Sequence, residues 1–221
     1  IIGLWAERAS AALAAKAPAP RRTLEIVVEQ TRRLGQLLDR MRELARDEAE
    51  RSEVFDAAAA GRAAVEIARC SWTVDPIEVE MEVDAEPAPV EGRPAQLEQA
   101  MLHLLENARE AVLARLAREP AAPARIQVRL RQEAGWFSVA VVDTGGGVPA
   151  ALGDRILDPF VTTKDPGKGP GLGLPVAAGI ALGMGGRLSW RNIGEGGREA
   201  GACFRLALPL SAEDATAGRA A

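Results

Sequence analysis

The spacing of apolar residues changes near residue 50. Before that point, apolar residues recur at alternating steps of three and four from Leu24 to Ala45, which is the heptad pattern of a packed helix. A proline-containing break at residues 17–22 separates this helix from an Ala-rich helix at residues 1–17. We therefore predict a helical hairpin over residues 1–50 that pairs with a second copy into a four-helix bundle. The alternative is that its apolar stripe packs against the chain's own second domain.

After residue 50 the pattern mixes strands and helices. Alternating apolar and polar residues predict strands at 54–55, 77–83, 126–130, 137–142, 187–191 and 202–208. Helical spacing predicts an Ala-rich helix that ends near residue 70, a long helix over 94–118, and a third helix from about residue 174 to the glycines at 185–186. We predict an α/β sandwich over residues 51–211, with a mixed sheet and helices on one face, and a frayed tail at 212–221.

Composition excludes several classes of protein. Charged residues make up 26% of the chain and the net charge is −4, which is typical of a soluble globular protein and argues against a nucleic-acid partner. No apolar run is long enough to span a membrane, so we expect no membrane contact. Cys70 and Cys203 have no disulfide or zinc-site spacing, which favours a reducing, cytoplasmic location. His103 is the one histidine, and the start at Ile1 suggests a fragment.

Four short segments carry the candidate chemistry. In chain order they are HLLENA at residues 103–108, VVDTGGGVP at 141–149, ILDPFVTTK at 156–164 and GKGPGLGL at 167–174. Asn107 lies in the interior of a helix, where asparagine is unfavourable unless it makes a buried hydrogen bond or binds a ligand. His103, four residues earlier, lies on the same face of that helix.

The other three segments fit a nucleotide. Asp143 at a strand end can accept a hydrogen bond from an exocyclic amine such as adenine N6, and Gly145 and Gly147 permit tight turns and close approach. Residues 153–172 are long for a connection and are expected to form a mobile lid. Glycines just before a helix present free N–H groups to phosphate. The glycine pattern is that of neither a Walker A loop nor a Rossmann loop.

In this order and spacing, the four segments resemble the N box, first glycine box, F box and second glycine box of the catalytic, ATP-binding region of sensor histidine kinases. That family is part of a wider group with the gyrase, heat-shock-chaperone and mismatch-repair ATPases. The resemblance covers about residues 50–210 and is nearest to the nitrogen-regulation type of sensor. The preceding hairpin resembles the end of the family's dimerisation domain.

The resemblance implies a role for each matching residue. Asn107 matches the Mg²⁺-ligating asparagine, and His103 stands where most members carry a second asparagine, so both are candidate catalytic and Mg²⁺-binding residues. Candidate ATP-binding residues are Asp143, Gly145, Gly147, Phe160, Lys164, Lys168, Gly169, Gly171, Leu172 and Gly173. Pro170 replaces the usual threonine or serine of the lid, and Ala202 stands where many members carry a hydroxyl group.

The resemblance also implies an activity, homodimerisation and a partner. The family moves the γ-phosphoryl group of ATP to a histidine on the first bundle helix, and then to an aspartate of a response-regulator receiver domain. That acceptor histidine is absent, which we expect to mean that the fragment begins just after it. The alternatives are a natural chain that phosphorylates a histidine elsewhere, a non-catalytic pseudokinase, and an ATP-hydrolysing clamp. His103 replaces the carboxylate that such clamps use as a base.

Overall fold

The computed structural model describes residues 52–85, 87–162, 171–194 and 200–211. The chain divides into two units, Ile1–Arg51 and Ser52–Ala221, and every described residue belongs to the second. The predicted hairpin at residues 1–50 and the predicted tail at 212–221 therefore lie outside the described residues. The described elements are β1 (Glu53–Asp56), α1 (Ala57–Ser71), β2 (Glu78–Asp84), β3 (Pro89–Gly92), α2 (Pro94–Leu116), β4 (Arg125–Glu133), β5 (Trp136–Asp143), a 3₁₀ helix (Gly153–Leu157), α3 (Gly173–Gly183), β6 (Arg187–Ile193) and β7 (Gly201–Pro209).

Five of these strands form one mixed sheet in the order β2-β4-β5-β7-β6. Strands β2 and β4 run parallel, whereas the other three neighbouring pairs are antiparallel. Strands β1 and β3 form a separate antiparallel pair. The sheet is mixed and is combined with helices, so the predicted α/β sandwich is confirmed.

The core lies between the sheet and its helices. On β4, Ile126, Val128 and Leu130 are fully buried, while Gln127 and Arg129 between them are half-buried on the opposite face. Helix α2 packs against both α1 and α3. Each large apolar side chain that is fully buried contributes about 1.5–3 kcal/mol to folding. The largest such side chains include Phe137, Phe204, Leu97, Met101, Leu104 and Leu105.

Two short elements were not predicted from the sequence. Strand β3 has only four residues, too few for a recognisable alternation, and is defined by its pairing with β1. The 3₁₀ helix lies inside the predicted lid, where Arg155 N–H donates to the Leu152 carbonyl at 3.0 Å. Ile156 and Leu157 pack against the core there. The sequence did not predict this helix, because five residues cannot establish a helical period.

Candidate functional site

Asp143 is a buried carboxylate at the end of β5. Only 1% of its surface is exposed. Its Oδ1 atom accepts hydrogen bonds from the N–H groups of Gly145, at 2.8 Å, and Ala202, at 3.3 Å. Its Oδ2 atom is buried and has no hydrogen-bond partner among the described residues. Burial raises the pKa of the carboxyl group to about 6, and the two backbone hydrogen bonds oppose that rise. A buried acceptor of this kind can take a hydrogen bond from a ligand.

The glycines after Asp143 hold the loop close to its neighbours. A Cβ atom on Gly145 would lie 2.4 Å from the Cβ of Ala111 on α2, so only glycine allows this approach. Gly147 has φ +86°, and a Cβ there would lie 2.9 Å from Asn192 Oδ1. The predicted tight turn is present at Gly147. In this structure the atoms nearest to both glycines belong to the protein, to Ala111 and to Asn192. The expected contact of these glycines with a nucleotide base therefore stays a prediction.

Asn107 and His103 lie on α2, one turn apart and both half-buried. Leu104, Leu105 and Ala108 beside them are fully buried, as the sequence indicated. A Cβ atom on Gly173, at the start of α3, would lie 3.5 Å from His103 Nδ1. The structure therefore brings the first and fourth sequence segments together at the N-terminus of α3.

Phe160 and Gly171, both within the predicted lid, are joined to each other. Phe160 N–H donates to the Gly171 carbonyl at 3.2 Å, and a Cβ on Gly171, which has φ +67°, would lie 2.6 Å from the Val161 carbonyl oxygen. Phe160 also has a positive φ of 67° and is 64% exposed. Leu172 is the N-cap residue of α3, and its carbonyl accepts from Val176 N–H at 3.0 Å. The other predicted lid residues, Lys164, Lys168 and Gly169, lie outside the described residues.

Three residues that the sequence analysis did not single out shape the loop after Asp143. Arg115, in the last turn of α2, donates to the carbonyls of Thr144 and Ala200. Asn192 on β6 uses its side-chain amide to pair with both backbone groups of Val148, at 2.7 and 3.0 Å.

The third residue is Gly201, where a Cβ would lie 1.7 Å from the Asp143 carbonyl oxygen. Arg115 had one usable signal: it continues the buried stripe of Leu104, Ala108 and Val112. Neither Asn192 nor Gly201 carries a comparable pattern.

The residues present are compatible with bound ATP and Mg²⁺. The unpartnered Asp143 Oδ2 suits an amine donor, and the Asn107 side chain offers an oxygen, the ligand type that Mg²⁺ prefers. Among the described residues, no cluster of three or more His, Cys, Asp and Glu side chains could hold a metal by itself. Within the described part of the chain, no helix is long and apolar enough to cross a membrane.

Comparisons with known proteins agree with this geometry. Residues 92–212 match the family described as histidine kinase-, DNA gyrase B-, and HSP90-like ATPase. The two-component sensor PprA of Pseudomonas aeruginosa is 38% identical over 193 residues, which are 86% of this chain and 20% of PprA. The nitrogen regulation protein NtrY of Azorhizobium caulinodans is 34% identical over 110 residues, which are 50% of this chain and 14% of NtrY.

A solved structure of the mycobacterial sensor histidine kinase MprB has a TM-score of 0.58 and 26% identity, and covers 72% of this chain and 97% of its own. The chain thus belongs to the family of histidine kinase-, DNA gyrase B- and HSP90-like ATPases. The second unit, Ser52–Ala221, contains the ATP-binding domain of a sensor histidine kinase, which confirms the resemblance inferred from the four segments. The chain spans about a fifth of the length of PprA.

Proposed function

We propose that this chain is part of a histidine protein kinase that transfers the γ-phosphoryl group of ATP to a histidine outside these residues. The phosphoryl group is then relayed to an aspartate on a receiver domain. The observation that carries the proposal is the buried Asp143 carboxylate, with Oδ1 held by two backbone N–H groups and Oδ2 without a partner among the described residues. The exocyclic amine of adenine is a donor that matches this vacant acceptor.

The other candidate residues would contact either Mg²⁺ or the phosphate groups of ATP. Asn107 and His103 share one face of α2 and would face Mg²⁺ and the phosphate groups. When bound, Mg²⁺ would neutralise charge on the phosphates. Gly171, Leu172 and Gly173 precede or begin α3, whose N-terminus favours anions because its first N–H groups lack helical partners. Phe160, Lys164, Lys168 and Gly169 would complete the lid over the nucleotide.

The acceptor histidine has to come from another segment. His103 is the only histidine of the chain, and it is half-buried in α2 beside Gly173. A side chain that helps to hold Mg²⁺ and phosphate is poorly placed for in-line attack on the same ATP. We therefore place the acceptor on a mobile helix of a dimerisation hairpin that includes residues 1–50, with a homodimer and a receiver domain as partners. ATP as phosphoryl donor implies that the domain works in the cytoplasm.

Phosphoryl transfer can be tested with a longer protein that includes the segment preceding Ile1. Incubated with γ-labelled ATP, it should gain acid-labile, base-stable phosphate, and an added receiver domain should remove that phosphate. Residues 1–221 alone should bind ATP and remain unlabelled. An Asp143→Asn version of the longer protein provides the control that lacks the adenine contact. The kinase proposal fails if residues 1–221 become labelled on His103, or if the longer protein binds ATP normally yet stays unlabelled.

A further inference from the structure

Arg115 is an unusual residue for the interior of this domain. It lies in the last turn of α2 with only 6% of its surface exposed, and within the described residues it is the one buried side chain with a permanent positive charge. Its Nε atom pairs with Glu119 at 3.2 Å, but the Glu119 side chain is 61% exposed. Burying a guanidinium group costs free energy unless it gains strong hydrogen bonds in return.

Those hydrogen bonds go to two separate stretches of backbone. Arg115 Nη1 donates to the carbonyl oxygens of Thr144 and Ala200, each at 2.9 Å. Gly146 N–H donates to the same Ala200 carbonyl at 3.0 Å. The side chain therefore joins the loop that follows β5 to the residue that precedes β7, and both to the end of α2.

The two joined stretches are the ones that hold Asp143. Gly145, next to Thr144, supplies one N–H group to Asp143 Oδ1, and Ala202, two residues after Ala200, supplies the other. Arg115 donates to the carbonyls of Thr144 and Ala200, beside these two N–H donors, and so acts on the carboxylate through the position of the backbone.

We propose that Arg115 is a positioning residue for adenine recognition. It holds Thr144 and Ala200 so that Gly145 and Ala202 occupy Oδ1 of Asp143, which leaves Oδ2 turned to the exocyclic amine of the base. Lysine cannot reproduce this arrangement, because Arg115 donates from two nitrogens, Nη1 to both carbonyls and Nε to Glu119, whereas lysine has a single ammonium nitrogen. The inference rests on the proposed role of Asp143 in binding ATP.

The test compares two nucleotides that differ at the recognised atom. ATP carries the 6-amino group, whereas purine riboside 5′-triphosphate lacks it. Wild-type protein should bind ATP more tightly than the purine analogue. Arg115→Gln should weaken ATP binding at least about tenfold, the scale of one hydrogen bond to a charged group, and should leave the affinity for the analogue unchanged. Arg115→Lys should lose most of the same preference.

Arg118→Gln is the matched control. Arg118 lies just beyond α2, is exposed, and its side chain donates to the Ala114 carbonyl of that helix at 3.2 Å. Calorimetric titrations of both nucleotides, with urea unfolding of each variant, separate positioning from general destabilisation. Equal losses for both nucleotides, or an undiminished preference for ATP in both Arg115 variants, would overturn the inference. If the wild-type protein itself does not prefer ATP, the adenine role of Asp143 fails instead, and the inference fails with it.

Discussion

Replacing Asp143 with asparagine should remove a pH-dependent component of the stability of the nucleotide-free domain. Burial raises the pKa of this carboxyl group from 3.8 to about 6. At about 1.36 kcal/mol per unit, ionising Asp143 costs about 3 kcal/mol more in the folded domain than in the unfolded chain. Because the folded-state pKa is the higher one, the protonated group's stabilising contribution is complete below about pH 4 and is lost as the pH rises through 6.

Asparagine keeps the local geometry but cannot ionise. Its Oδ1 can still accept from Gly145 and Ala202, and its Nδ2 replaces the unpartnered oxygen. Between pH 4 and pH 7, the free energy of unfolding of the wild type should therefore fall by about 2.4 kcal/mol relative to that of Asp143→Asn. Other carboxylates titrate in both proteins and cancel in the difference.

Urea unfolding at four pH values across this range measures the difference directly. Asp158→Asn is the control for removing a carboxylate, because Asp158 is exposed. A difference between Asp143→Asn and the wild type that does not change with pH would show that the folded carboxylate is not destabilised by burial, and the reasoning would be wrong.

The same carboxylate links nucleotide binding to pH. At pH 7.5, the asparagine variant places a donor opposite the adenine amine, so ATP binding should weaken by about 1–3 kcal/mol. Wild-type affinity should fall as the pH drops below about 6, because protonation removes the charged acceptor. Titration calorimetry measures both effects, and unchanged ATP affinity in Asp143→Asn would refute the adenine assignment.

Two further substitutions test the packing around the carboxylate and the metal site. Gly201→Ala places a Cβ 1.7 Å from the Asp143 carbonyl oxygen, so strand β7 must move. Urea unfolding should show that the free energy of unfolding falls by about 1–3 kcal/mol, and ATP binding should weaken. Gly179→Ala, where no atom lies within 4 Å, is the control and should not destabilise the helix. Asn107→Ala should weaken ATP binding mainly when Mg²⁺ is present, and an equal loss with and without Mg²⁺ in calorimetry would contradict its role as a ligand.

The elements with strong local patterns could be predicted from the sequence. Strand β4 alternates apolar and polar residues, and the buried residues on α2 recur with a helical period. Both sequence patterns match the burial seen in the structure, because each depends only on which face of the element is covered. Asn107 and Asp143 can be identified as site residues because the four segments occur in the order of the corresponding boxes of sensor histidine kinases. Their chemical roles stay predictions.

No local sequence pattern could predict the groups that shape the carboxylate site. Arg115 is 29 residues from one of its carbonyl partners and 85 from the other, and Asn192 is 44 residues from Val148. Strand β3 likewise exists only through its pairing with β1.

By itself, the sequence determined which face of β4 and of α2 is buried, because that depends on the local order of apolar and polar side chains. Only the tertiary structure decided that β7 lies beside β5, which brings the N–H group of Ala202 to Asp143 and the carbonyl of Ala200 to Arg115. The physical reason is that pairing between distant strands is chosen by the free energy of the whole packed sheet. No stretch of neighbouring residues encodes it.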